Sequence, residues 1–295
     1  MQRFLDPAVL ASISSLELIA KTVVDGFVFG LHRSPDFGFS QEFAEYRAYT
    51  QGDDLRHVDW NLFARTERCY LKRYKGETNS QLLVLLDASN SMQYRSGSLS
   101  KADYARYLAA SLFYLAIKNQ RDAAGIVVFD DTIRDYISPS TRQGQLMRLF
   151  AALDRAEPRA RTNFVTPFQH VQSLVRRRGM VVVVSDFYDD PVALIQALEL
   201  LRFKGNDIVL FHILDPQELH PTLKQPAILV DMESDRKLEV VPEYVSTTYR
   251  TKIQDHIDQL RTRSSAAGLE YKLIATDQPL DATLREYLAV RKAGF

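Results

Sequence analysis

The stretch Gln81-Leu-Leu-Val-Leu-Leu-Asp87-Ala-Ser89-Asn-Ser91 decides the fold. Its five apolar residues have the length of a strand covered on both faces, which requires helices above and below it. Directly after them come a carboxylate and two hydroxyls at alternate positions. Working toward the C-terminus, the spacing of Tyr104, Leu108, Leu112 and Leu115 predicts a helix over 102–117. Strands follow at 124–129 and 132–137, close enough to pair as a hairpin, and then helices at 145–153 and 168–177. The Val-rich run 180–184 reads as a second strand buried on both faces. Beyond it the pattern predicts helix 192–203, strand 207–214, a small strand pair at 227–230 and 237–240, helix 246–267, strand 270–274 and helix 280–290. Strands separated by crossover helices make a doubly wound, mostly parallel α/β sheet. Such sheets take their ligands at the carboxyl ends of the strands.

The rest of the composition agrees with a large soluble core. The chain has 295 residues, 46% of them apolar, and its 37 basic residues balance 37 acidic ones. Zero net charge gives no overall drive toward a polyanion or an anionic membrane surface. A single cysteine, Cys69, excludes an internal disulfide framework and points to a reducing compartment. Residues 1–10 mix Arg3, Asp6 and Pro7 with apolar positions and do not read as a secretion signal. The longest apolar runs are far shorter than the roughly 20 residues of a membrane-spanning helix. A cytoplasmic location without direct membrane insertion is expected.

Residues 1–77 differ in character from 78–295, the part that forms the sheet. They offer one amphipathic helix over 7–24 and then a polar, aromatic stretch. No repeat and no flexible linker separates the two parts, so they are expected to dock.

The chemistry at the end of the first strand favours a hard divalent cation, which takes oxygen ligands. Asp87, Ser89 and Ser91 present three oxygens to one side of an extended turn. Thr162, ahead of the helix at 168, and Asp186, after the strand at 180–184, occupy equivalent places. As an isolated string, Asp-x-Ser-x-Ser also suits helix capping. Asp189 and Asp190 precede Pro191, a favoured first-turn residue, and read as capping rather than metal ligands. The six histidines show no paired spacing for zinc. Glycine loops for phosphates or dinucleotides and a Gly-x-Ser-x-Gly elbow are absent.

The sequence from Gln81 onward resembles von Willebrand factor A domains. In these an Asp-x-Ser-x-Ser motif, a later Thr and an Asp after the fourth strand form the metal-ion-dependent adhesion site (MIDAS). Asp87, Ser89, Ser91, Thr162 and Asp186 match those parts in order. The resemblance implies a bound Mg²⁺, with Mn²⁺ and Ca²⁺ also suited to an oxygen shell, completed by an acidic side chain of a protein partner. Two carboxylates neutralise a dication while neutral hydroxyls leave it electrophilic, which favours binding over catalysis. The rival reading is a Mg-dependent hydrolase or phosphatase at the same loops. A haloacid-dehalogenase-type phosphotransferase also sets a nucleophilic Asp after its first strand, but it needs a second Asp where Ser89 stands, and a serine is a poor proton donor at neutral pH.

The N-terminal part contains Glu42-Phe-x-x-Tyr46-Arg47-x-Tyr-x-x-Gly52-Asp53-Asp54-x-Arg56-x-x-Asp59-Trp60, followed by Arg65. This signature resembles the bacterial family of domain of unknown function 58. That resemblance implies a non-enzymatic adaptor beside a MoxR-type AAA+ ATPase, in chaperone-like remodelling or maturation of clients. From the residues themselves, Arg47, Arg56 and Arg65 facing Asp53, Asp54 and Asp59 suit a structural ion-pair network packed by Tyr46, Tyr49 and Trp60, against the alternative of direct partner contact. Interleaved acids argue against a nucleic-acid surface.

Overall fold

A computed structural model describes residues 7–13, 15–31, 43–50, 58–66, 68–74, 81–159, 163–175, 177–223, 225–230, 232 and 237–294. The chain divides into two compact units: residues up to Phe27 together with Ser80–Phe295, and Val28–Asn79. Two helices open it, α1 (Pro7–Leu10) and α2 (Leu16–Leu31).

In the smaller unit, β1 (Phe43–Ala48) pairs antiparallel with β2 (Tyr70–Tyr74), and α3 (Trp60–Thr66) lies between them in sequence. Tyr46 and Arg47 stand opposite Lys72 and Leu71 in that ladder. Asp59 has a structural task here. Its backbone N–H donates to the Tyr70 carbonyl at 2.9 Å and its carboxylate accepts from Leu62 N at 3.2 Å, which caps α3. Trp60, expected as packing, is instead 57% exposed and meets Phe63 edge-on at 6.0 Å. It is the first residue of the two-turn α3 and directly follows the buried cap Asp59. Arg65 is exposed in the last turn of α3. Glu42, Gly52, Asp53, Asp54 and Arg56 lie outside the described residues.

The larger unit begins with β3 (Gln81–Asp87), a 3₁₀ turn (Asn90–Gln93) and α4 (Lys101–Tyr114), which runs on through a π turn (Leu115–Asn119). Then come β4 (Ala123–Phe129), β5 (Ile133–Ser140), α5 (Gln145–Arg155), α6 (Val165–Leu174), β6 (Met180–Ser185) and α7 (Pro191–Phe203). The chain continues with β7 (Asp207–Leu214), α8 (Pro216–Leu219), the hairpin β8 (Ala227–Val230) and β9 (Lys237–Val240), and α9 (Pro242–Tyr244). A π turn (Val245–Tyr249), α10 (Arg250–Ala266), β10 (Glu270–Ala275) and α11 (Leu280–Gly294) complete it.

Six strands form one sheet in the order β10-β7-β6-β3-β4-β5, parallel except for the edge strand β5. From β3 the chain moves to β4 on one side and later returns to β6 on the other. The switch point, where such sheets open a crevice for ligands, therefore lies between β3 and β6. All of β6 and all of β3 but Gln81 are buried, as their unbroken apolar runs require. Beneath their carboxyl ends, Phe129, Phe164, Phe168 and Phe187 pack with centroids 5.4–5.7 Å apart.

Local chemistry sets the helix starts. Ser100 and Asp103 form a capping box on α4, and Asp190 accepts from Val192 N and Ala193 N ahead of Pro191 in α7. The helix expected from residue 168 begins at Val165, because Asn163 accepts from Val165 N and Thr166 N and Pro167 fits the first turn. Regular α-helix in the stretch expected from 246 begins only at Arg250, after the π turn.

Candidate functional site

Asp87 ends β3 and Asp186 follows β6, and the register pairs Leu86 with Val184. The parallel ladder thus delivers two carboxylates to one rim, both at most 2% exposed. Asp87 Oδ1 accepts from Ser89 N at 2.8 Å, which turns the chain so that the Ser89 and Ser91 hydroxyls meet at 3.0 Å. Asp87 Oδ2 accepts from Ser185 Oγ at 2.5 Å. The same Ser185 oxygen accepts from Phe187 N at 2.9 Å. Phe187 has φ 49°, a left-handed conformation that a bulky residue adopts only where its surroundings impose it. Here its ring is fully buried, and its carbonyl lies 3.0 Å from His256 Nε2. Asp186 stands immediately before this strained residue.

The electrostatics follow from that convergence. Burial first, and then the charge of Asp186, push the Asp87 carboxyl up to about 7, against the pull of the Ser185 and Ser89 bonds. Asp186 Oδ1 is buried with no hydrogen-bond partner among the described residues. Its Oδ2 accepts from Lys101 Nζ at 2.8 Å, and the same ammonium reaches Glu218 Oε1 at 2.6 Å. Burial would push the Lys101 ammonium down, but the two carboxylates outweigh it and hold its pKa above the ordinary value. His212, on β7, is fully buried with Nε2 unpartnered among the described residues. Its Nδ1 lies 2.6 Å from the Tyr271 hydroxyl, and burial lowers its pKa to about 3.

The loop before α6 is tied to the same rim. Arg159 N donates to the Ala88 carbonyl at 2.8 Å and Asn163 N to the Asp130 carbonyl at 3.3 Å. Thr162 itself lies outside the described residues. Asp87, Ser89 and Ser91 thus share one hydrogen-bonded turn, and Asp186 leaves the neighbouring strand near enough for its charge to act on Asp87. Asp190 serves α7 as a cap, and Asp189 accepts from Asp190 N.

Sequence reasoning missed Lys101, Ser185, His212 and Glu218. One signal was available for Lys101: a basic residue at the first position of a helix opposes the helix dipole and calls for a nearby acid. Glu218 carries a local signal as the fourth residue of the Asp215-Pro-Gln-Glu218 capping box, whereas Ser185 and His212 are brought in by the register of neighbouring strands.

The family model described as "Protein of unknown function DUF58" matches residues 45–263. The chain belongs to that family. Its relatives include an uncharacterized protein of Mycobacterium tuberculosis, strain H37Rv, 25% identical over 293 residues, covering 98% of this chain and 92% of the relative. A Mycobacterium bovis protein matches with the same figures. Among solved structures, an aerotolerance-related membrane protein from Bacteroides fragilis is similar with a TM-score of 0.51 at 13% identity, covering 72% of this chain and 99% of that one. BatB from Bacteroides thetaiotaomicron has a TM-score of 0.48 at 13% identity, with the same coverage. The VWA domain of SpRpn10 has 0.42 at 15% identity, over 70% of this chain and 94% of that one. The DUF58 chain carries a mostly parallel six-stranded sheet between helices, a fold similar to that of the Bacteroides fragilis protein. No described helix is long and apolar enough to cross a membrane.

The donors suit a hard cation. An orphaned carboxylate oxygen on Asp186, a second carboxylate raised by burial and then by its neighbour's charge, and paired hydroxyls form an oxygen-only set. Among the described residues no three His, Cys, Asp or Glu side chains converge, so two carboxylates and hydroxyls would hold an ion here.

Proposed function

We propose that this chain is a non-enzymatic adaptor that binds other proteins through a divalent cation held by Asp87, Ser89, Ser91, Thr162 and Asp186. The observation that carries this reading is the pair of buried carboxylates at the β3–β6 switch point, with Asp186 Oδ1 lacking a partner among the described residues. Mg²⁺ suits the set best, and Mn²⁺ or Ca²⁺ would also accept it. When bound, the ion supplies a positive coordination position for an incoming carboxylate. The chain's own part is to fix that position. Ser185 and Ser89 N hold Asp87, and Lys101 holds one oxygen of Asp186.

Asp87, whose carboxyl is raised into the range of a general base, already has both oxygens accepting, from Ser89 N and Ser185 Oγ. His212 is buried with its pKa near 3, and Lys101 is saturated by carboxylates. These facts favour binding over the alternative of a Mg-dependent hydrolase or phosphatase. The family resemblance supports a MoxR-type AAA+ ATPase as the energy-supplying partner in chaperone-like remodelling or maturation of clients.

The test is affinity purification of the tagged chain with Mg²⁺ or with EDTA, wild type against Asp87→Ala, together with calorimetric Mg²⁺ titration. An AAA+ ATPase recovered only with Mg²⁺ and only by the wild type is the expected result. Mg²⁺ affinity unchanged in Asp87→Ala rejects the site. Phosphoester turnover lost in Asp87→Asn moves the assignment to the hydrolase.

A further inference from the structure

Lys101 is the first residue of α4, where unpaired backbone N–H groups already carry partial positive charge. An ammonium is disfavoured there, and full burial disfavours it again. Capping does not require it, because Ser100 and Asp103 form the box without it. What holds it is acid: Asp186 Oδ2 at 2.8 Å and Glu218 Oε1 at 2.6 Å, with the Tyr188 ring 4.9 Å away. Glu218 is itself fixed by accepting from Asp215 N at 2.8 Å. Asp87, by contrast, forms no ion pair among the described residues, and its bonds come from Ser89 N and Ser185.

The geometry points to Lys101 as a built-in counter-cation that takes one oxygen of Asp186, leaves the other for a divalent ion, and so sets how tightly that ion is held. The inference rests on the metal-dependent reading and deepens it. An ammonium in the same buried cluster repels a dication and offsets part of the attraction of the carboxylates. The ion is then bound weakly by the chain alone, and an acid from a partner makes up the difference. Glu218 works in the opposite direction, drawing part of the ammonium's charge away from Asp186.

Thermal unfolding of the full chain against MgCl₂, at ionic strength fixed with KCl, tests this in wild type, Lys101→Met, Glu218→Gln and Asp87→Asn. Lys101→Met is expected to lower the half-saturating Mg²⁺ concentration about tenfold or more. Glu218→Gln should raise it, and Asp87→Asn should abolish the response. Half-saturation in Lys101→Met equal to or above that of wild type overturns the inference. Should that variant fail to fold, an unchanged value in Glu218→Gln does the same. A response in Lys101→Met that wild type lacks, and that Asp87→Asn removes from the double variant, supports Lys101 as the ion's replacement and rejects metal dependence of the natural chain. Silence in every variant rejects both.

Discussion

Ser185 Oγ donates to Asp87 Oδ2 at 2.5 Å across the β3–β6 boundary, inside a fully buried environment. A single hydroxyl thus locks the first half of the site to the strand that delivers the second. Ser185→Ala removes this bond and also leaves Phe187 N without its acceptor. Unfolding in urea is expected to show a loss of about 1–3 kcal/mol, the usual cost of a buried group stripped of its partner. A loss within experimental error would show that Asp87 is held by other means.

Acid sensitivity should be traceable to His212. Burial lowers its pKa to about 3, whereas an unfolded histidine titrates near 6.5. Between those values the unfolded chain binds a proton that the folded chain refuses, so the contribution is present above about 6.5 and is lost as pH falls toward 3. The slope is at most about 1.4 kcal/mol per pH unit. Asp87, raised to about 7, gives the opposite slope in both proteins, so the stability of His212→Phe relative to wild type should rise as pH falls from 6 to 4, and a constant difference refutes the assignment.

Gly125, in the middle of β4, is required by β5. A Cβ there would lie 2.6 Å from the Ile137 carbonyl oxygen and from Pro139 N, both backbone atoms that cannot step aside. Gly125→Ala should therefore cost about 1–3 kcal/mol or prevent accumulation of folded protein. Thermal melting at wild-type temperature would contradict this packing.

Asp190 accepts from Val192 N and Ala193 N at the start of α7. Asp190→Ala should destabilise by about 0.5–2 kcal/mol without altering cation binding. A changed Mg²⁺ half-saturation would return this residue to the metal site.

Much of this fold is legible because parallel strands covered on both faces have no polar alternation. Leu82 to Leu86 and Met180 to Val184 have no other stable use in a soluble chain, and the runs were read to within a residue or two. Asp87, Ser89 and Ser91 are legible as one local motif, and Asp186 as the acid following a strand. Asp59 is different: its role as the α3 cap was hidden because the signature around it invited an ion-pair reading. Ser185 and Lys101 act through residues 98 and 85 positions away. Such pairings arise only when the sheet order is known, and no local spacing encodes them.

That separation has a consequence for biosynthesis. Closing a loop of 98 residues must precede the meeting of β3 with β6, and α4, β4, β5, α5 and α6 all lie within it. A ribosome-bound fragment ending before Met180 has the Asp87 motif, β4 beside it and three of the four floor rings, but lacks β6 and with it Ser185 and Asp186. The rim that carries Asp87 and Asp186 is therefore complete only once β6 has joined β3, and a product truncated before that lacks its second carboxylate.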